Sequence, residues 1–394
     1  MSIIKPAADL QKDMQTWRRD IHAHPETAFE EVRTGDVVAA KLEEFGLDVH
    51  RGLARTGVVG TLKCGKGNRA IGLRADMDAL NLLEKNTFDH ASRHPGKMHA
   101  CGHDGHVAML LGAAKILSET KSFDGTVHFI FQPAEENEAG GRVMVEDGLF
   151  DLFPVDAVYG MHNWPGLKPG QIAVKTGPMM ASADNFDIEI SGTGAHAAMP
   201  NLGTDSIVVA AEIIQALQTI SSRIADPLEP VVVSVTQIHA GDAYNIIPDT
   251  VKLAGTCRAF SPALRDQIEP LMKRIIDGIA AAHGVEVSFT YRRKYPPTVN
   301  AAEETEYAAA AAAAVVGEEN VVRNIRPSMG AEDFAYMLEA RPGSYVWLGQ
   351  GADSGSFHGC MLHNPGYDFN DEVAPIGVSY WVTLVEQQLP VKKG

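Results

Sequence analysis

Between residues 185 and 295 the sequence passes through an alternating strand (NFDIEISG) and an amphipathic helix (TDSIVVAAEIIQALQTISSR). Two strands follow, joined around DAYNIIPD (PVVVSVTQIHAG and TVKLAGTCRAF), then a second helix (PALRDQIEPLMKRIIDGIAAAHG) and a last strand (VEVSFTYRRKY). The order β-α-β-β-α-β is that of a ferredoxin-like unit. A four-stranded sheet with both helices on one side leaves its edge strands open to a second copy. Pro296-Pro297 marks the end of this unit.

The flanking sequence has a different rhythm. DLQKDMQTWRRDIHAH and FEEVRTGDVVAAKLEEF read as helices that stop at Pro25 and Gly46. GVVGTLKC, RAIGLRADMD and GTVHFIFQP read as strands, with the apolar helix GHVAMLLGAAKILSET ahead of the last of these. After residue 296 come an alanine-rich helix near Tyr307–Val316, the strand GSYVWLGQ and a closing helix APIGVSYWVTLVEQQL. Helices alternating with strands predict an α/β sheet covered on both faces. The expected organisation is one discontinuous α/β domain, 1–184 with 296–394, interrupted by an inserted α+β domain at 185–295.

Composition narrows the function classes. The chain has 394 residues, 45% hydrophobic and 21% charged, and a net charge of −16. Such an acidic surface repels phosphate backbones and anionic membranes, so neither nucleic acid nor a membrane is an expected partner. No run of about 20 apolar residues is expected to span a bilayer. The charged start MSIIKPAADLQKDMQTWRRD lacks the apolar core of a signal peptide, which points to a cytoplasmic protein. Cys64, Cys257 and Cys360 are scattered and read as packed thiols.

Cys101 stands apart. MHACGHDGH places it two residues from His103, where a thiolate and an imidazole could face one point, a donor pair zinc accepts readily. A histidine-rich polar turn has the same appearance. FIFQPAEENEAGG ends a strand and sets Glu135 beside Glu136. Of two such carboxylates, one can bind a metal while the other handles a proton. A helix N-terminus would also favour them. His162 closes the apolar stretch AVYGMHNWPG, and His363 lies in the loop GCMLHNPGYDFNDE. Four sets of ligand-type residues at strand ends and loops point together to a metal site.

Taken in order, RRDIHAHPE, RADMDAL, GKMHACGHDGHVAMLLGAA, FQPAEE, GMHNWP, SGTGAHAAMP, NIIPD, SMGAEDF and LHNPGYDFND resemble the M20 metallopeptidase family. The likeness is to its amidohydrolase branch of hippurate hydrolases, N-acyl-amino-acid deacylases and auxin-conjugate hydrolases, and it covers nearly the whole chain. The resemblance implies a metallopeptidase-like catalytic domain with an inserted lid and dimerisation domain. It also implies two divalent metal ions per subunit, held by Cys101, His103, Glu136, His162 and His363. The thiolate would bridge, with Glu136 and His363 on one metal and His103 and His162 on the other. Zinc, manganese, nickel and cobalt all suit mixed N/O/S donors.

The resemblance further implies hydrolysis of the amide bond of N-acyl amino acids by metal-activated water. Glu135 would be the general base and Asp78 the carboxylate behind a metal ligand. His196 matches the histidine that steadies the carbonyl oxygen, often across a dimer interface. Asn245 and Arg258 match substrate-side positions, and Gly330 would let backbone approach the substrate. The implied assembly is a homodimer through the inserted domain. Asp76 sits where other branches carry a metal-binding histidine and is left out of the ligand set. His22 and His106 are expected in supporting roles. Asn81 replaces a proline that usually follows DMDAL in this branch. Competing readings are a dipeptidase or carboxypeptidase of the same family and a non-catalytic metal-binding protein. The retained Glu135 speaks against the last. A serine hydrolase would need a G-x-S-x-G elbow and a dinucleotide enzyme a G-x-G-x-x-G turn, and neither occurs.

Overall fold

A computed structural model of the chain describes residues 1–136, 138–351 and 360–391. The chain divides into two compact units. One comprises Met1–Gly177, Val299–Arg326 and Asp333–Gly394, the other Pro178–Thr298 and Pro327–Glu332.

The first unit is built on an eight-stranded mixed sheet. Its first five strands in chain order are β1 (Asp48–Leu53), β2 (Gly57–Cys64), β3 (Ala70–Asp76), β4 (Gly125–Gln132) and β5 (Ala157–Pro165). Across the sheet the order is β1-β2-β4-β3-β5, followed by Gly343–Gly351, Ile172–Ala173 and Val321–Val322. β4, β3, β5 and Gly343–Gly351 run parallel. These strands are buried almost end to end. That burial follows from helices covering both faces of a parallel sheet, and it explains their near-continuous apolar sequence. The helix His103–Thr120 is likewise buried on nearly every side. Gly105 lets it approach closely, since a Cβ there would run into the Phe369 ring. Ala308, Ala309, Ala311 and Ala312 are fully buried in the alanine-rich helix.

The second unit contains a four-stranded antiparallel sheet in the order Val231–His239, Thr250–Ala259, Ala183–Ser191, Glu286–Tyr295. This is the ferredoxin-like arrangement. Phe186, Ile188, Ile190, Val251, Leu253 and Cys257 face one core with Ile213 and Leu217 of the helix Ser206–Thr219 and Ile268, Met272 and Ile276 of the helix Pro262–His283. Asp205 caps the first helix through Ile207 N and Val208 N, and Ser261 caps the second through Leu264 N.

Several local expectations change. The first expected helix, read from Asp9, is Gln11–Ala23, and a further short helix, Lys5–Asp9, precedes it and ends at Leu10, whose ψ is near zero and whose N–H closes on Ala8 O and Pro6 O. The alanine-rich helix starts at Ala302, with Glu303 and Glu304 favoured by the dipole of its first turn. β5 continues past His162 to Pro165, since Trp164 and Pro165 still pair with Gly349 and Gly351. Ser206–Ile224 is, by length and composition, apolar enough to cross a membrane, against the expectation that no such run exists. Val209, Ala210, Ile213, Leu217 and Ile220 of that stretch pack into the core of the second unit.

Candidate metal centre

In an open α/β sheet, ligands gather outside the carboxyl ends of the strands. Here β4, β3 and β5 are neighbours and parallel. Past the end of β3 come Met77 and Asp78, and past the end of β4 come Pro133 to Glu136, while β5 carries His162. His103 is the first residue of its helix, one step further into regular structure than the loop expected for it. Gly102, between Cys101 and His103, has φ +96, and a Cβ there would run into Asn163 Oδ1 and Tyr367 Oη. Only glycine allows this turn.

All five expected ligands meet. Donor atoms of Cys101, His103 and His162 lie within 4.8 Å of one another, and so do those of Cys101, Glu136 and His363. The two groups share the thiol. Cys101 Sγ is 3.3 Å from His162 Nε2, and His363 Nε2 is 3.1 Å from Glu136 Oε1. His363 is half exposed and has φ +63, and its N–H is tied to Ala100 O at 2.8 Å. Strain of that kind, about 1–2 kcal/mol for a non-glycine residue, is typical of positions that function fixes. Glu135 belongs to a further group with His103 and Glu136.

His103 Nδ1 donates to Asp78 O at 2.9 Å and lies 3.2 Å from Asp78 Oδ1. Its Nε2 is buried and makes no hydrogen bond. Asp78 Oδ2 accepts from Glu136 N at 2.9 Å, so one carboxylate steadies the His103 ring and the main chain at Glu136. His162 Nδ1 donates to Asn163 O at 2.6 Å, which turns its Nε2 toward the thiol. An orphaned imidazole nitrogen beside a thiol, a carboxylate and two further imidazoles is a donor set that fits divalent cations.

The electrostatics agree. Burial, reinforced by Glu136, Glu135 and Asp76, pushes the Cys101 thiol well up, so a thiolate there needs a cation beside it. Burial and the neighbouring His106 push His162 well down, keeping it neutral and able to ligate. Burial alone would lower His103, but Asp76, Asp78 and Glu136 outweigh it and raise it to about 10. Asp76 is held well below the usual carboxylate range: Arg74, His103 and His106 overcome the opposing effect of burial. Its oxygens go to Arg74 Nη1 at 2.7 Å and His106 Nδ1 at 2.6 Å. His106 Nε2 in turn accepts from Asn163 N at 3.0 Å. His22 pairs with Asp104 at 2.8 Å and with Glu84 at 3.2 Å; against the cost of burial, they raise it to about 9.

Other residues around the glutamate pair were not singled out in the sequence. Glu31, fully buried, accepts from Ala134 N at 2.9 Å and from Thr56 Oγ1 at 2.8 Å. Burial, then the charge of Asp78, raises it to about 7. Arg74, Gln132 and Asp333 form a fully buried cluster behind the same loop. Gln132 and Asp333 fall inside the motifs FQPAEE and SMGAEDF, which were the available signal.

The remaining expected site residues belong to the second unit. His196 and Asn245 line one cleft of ≈ 740 Å³ with Ile246, Ile247 and Asp249. Ala195 and His196 pair with Ile247 and Ile246 in a two-stranded ribbon, and His196 Nδ1 accepts from Ala198 N at 3.1 Å. Arg258 lies between Cys257 and Ala259, both buried in the core, so it faces the other side of the sheet. Gly330 O accepts from Ala181 N at 3.0 Å, and Gly330 N donates to Ser328 Oγ at 3.0 Å.

Residues 72–387 match the family model described as peptidase family M20/M25/M40. The chain is 40% identical over 389 residues to a hippurate hydrolase from Campylobacter jejuni, covering 99% of this chain and 100% of that one. It is 45% identical over 298 residues to an N-acyl-L-amino acid amidohydrolase from Geobacillus stearothermophilus, covering 75% and 80%. Among solved structures it is similar to a Bacillus subtilis protein described as a dinuclear metal binding peptidase of the M20 family. That likeness has a TM-score of 0.84 and 35% identity over 97% of this chain and 99% of that one.

Proposed function

The chain belongs to peptidase family M20/M25/M40, and from that premise we propose that it hydrolyses the amide bond of N-acetyl or N-benzoyl amino acids, releasing a carboxylic acid and a free amino acid. One observation carries the reading: Glu135, which the expected ligand set leaves out, has a carboxylate oxygen within 4.8 Å of donor atoms of His103 and Glu136. The names of relatives near 40% identity support the substrate class.

Cys101, His103, Glu136, His162 and His363 would hold two divalent metal ions, zinc, manganese, nickel or cobalt. When bound, these supply Lewis acidity that lowers the pKa of water and polarises an amide carbonyl. The chain's own groups do the rest. Glu135 takes a proton from the attacking water on its carboxylate and hands it to the leaving nitrogen. Asp78 keeps His103 Nε2 and Glu136 aimed inward. His196 donates to the carbonyl oxygen as charge develops on it. Asn245, Arg258 and Gly330 serve the substrate side, where a free carboxylate needs a cationic or amide partner.

The test is a panel of N-acetyl amino acids, N-benzoyl amino acids and dipeptides, with initial rates on metal-replete protein. N-acyl amino acids should give the highest kcat/KM. Faster turnover of free dipeptides would replace the reading with a dipeptidase, and no turnover of any member would leave a binding protein.

The proposed assembly is a homodimer through the second unit. Its edge strand Val231–His239 is paired on one side only, and Met199, Leu202, Ile238, Tyr244 and Ile246 are exposed. If His196 serves the partner's site, mixing His196→Ala with Glu135→Gln protein creates one intact site per heterodimer, and activity returns. An oxyanion contact of this kind is worth about 2.7–4 kcal/mol, so the returning signal should stand well above either parent. A strictly monomeric active enzyme contradicts the assembly.

A further inference from the structure

Asp333 follows the motif glutamate in SMGAEDF and immediately precedes the helix Phe334–Ala340. A carboxylate there would ordinarily cap its own helix. It does not: Asp333 has αR dihedrals and makes no side-chain cap bond. Its carboxylate is fully buried and turned elsewhere. Arg74 Nη2 donates to Oδ1 at 2.9 Å, Gln132 Nε2 donates to both oxygens at 2.8 Å, and Gly141 N donates to Oδ2 at 2.7 Å. Arg74 also holds Gln132 Oε1 at 2.8 Å and Asp76 Oδ2 at 2.7 Å.

The same residue also stands beside Glu135: carboxylate oxygens of Glu135, Glu332 and Asp333 lie within 4.8 Å of one another. Asp333 N donates to Glu135 Oε1 at 3.3 Å. Asp333 therefore holds the stretch around Glu135 at two points, by its side chain at Gly141, in the first turn of the helix Gly140–Glu146, and by its main chain at the Glu135 carboxylate. That stretch needs holding, because Ala134 and Ala139 both adopt positive φ. Hydrogen bonds from a buried, fully partnered carboxylate hold such a geometry better than packing alone.

We infer that Asp333, fixed by Arg74 and Gln132, is a positioning residue for Glu135: it sets where the base carboxylate lies without touching substrate. The inference rests on Glu135 being the base. Arg74 matters because its planar fork reaches Asp76 and Asp333 together, which a lysine cannot do.

The experiment compares Asp333→Asn, Arg74→Lys, Glu135→Gln and the double variant Asp333→Asn/Glu135→Gln as metal-loaded protein. It records kcat, KM, bound metal and melting temperature. Asp333→Asn should lower kcat roughly 10-fold, on the way to the ~10²-fold that a 1 Å misplacement can cost, with KM and bound metal unchanged. In the Glu135→Gln background the Asp333→Asn loss should vanish, since no base is left to misplace. Arg74→Lys should reproduce the kcat loss, and it carries the test alone if Asp333→Asn does not fold. Wild-type kcat in both single variants overturns the inference. So does an equal loss with and without Glu135, or a loss that follows bound metal or melting temperature. Failure of the base assignment itself shows separately, as a Glu135→Gln single variant with wild-type turnover.

Discussion

Glu135→Gln should lower kcat by roughly 10²-fold or more, the usual scale for losing a general base, while bound metal stays at the wild-type level. Glu136→Gln, one residue away, should do the opposite and lose metal first. The contrast follows from their surroundings. Glu136 shares a donor group with Cys101 and His363, and its N–H is fixed by Asp78. The Glu135 carboxylate accepts from Asp333 N and lies outside both groups that share Cys101. The amide keeps the shape of the side chain and removes its ability to take a proton. Kinetics with metal analysis on both variants checks the assignment. Wild-type turnover in Glu135→Gln would refute it, and so would equal metal loss in the two variants.

Part of this candidate site was legible because several of its residues sit where sequence periodicity breaks, whereas His162 lies inside β5. Asp78 and Glu136 follow apolar strands, and Cys101 precedes an apolar helix. A strand end is readable from one sequence, and the parallel order β4-β3-β5 then brings separate ends together. The inserted unit was legible for a similar reason: its strands alternate and its helices are capped by Asp205 and Ser261. What escaped was the layer behind the ligands. Arg74, Gln132, Glu31 and Asp333 are polar residues whose burial depends on contacts 25 to 259 positions apart. No local pattern announces such a pairing. Asp333 resembles a helix cap in sequence, and only its partners reveal that its carboxylate turns away. The short helix Lys5–Asp9 and the extension of β5 past His162 were missed likewise, since each depends on backbone bonding rather than residue type.

Chelation should abolish amide hydrolysis, and divalent metal should restore it. Four donor side chains gather around one buried thiol, and His103 Nε2 lies buried without a hydrogen bond. Leaving such a polar atom unmatched costs about 1–3 kcal/mol, a penalty that a bound cation removes. Burial and three nearby carboxylates hold the Cys101 thiol up, so metal binding at the shared position should release a proton and weaken as pH falls. Cys101→Ser should impair both metal groups at once, whereas His363→Ala should impair only the group it shares with Glu136. The most direct measurement titrates divalent metal into chelated protein while following bound metal and hydrolysis of an N-acyl amino acid together. The account predicts activity that rises with bound metal and saturates at about two ions per chain. Full turnover by the metal-free protein would contradict it.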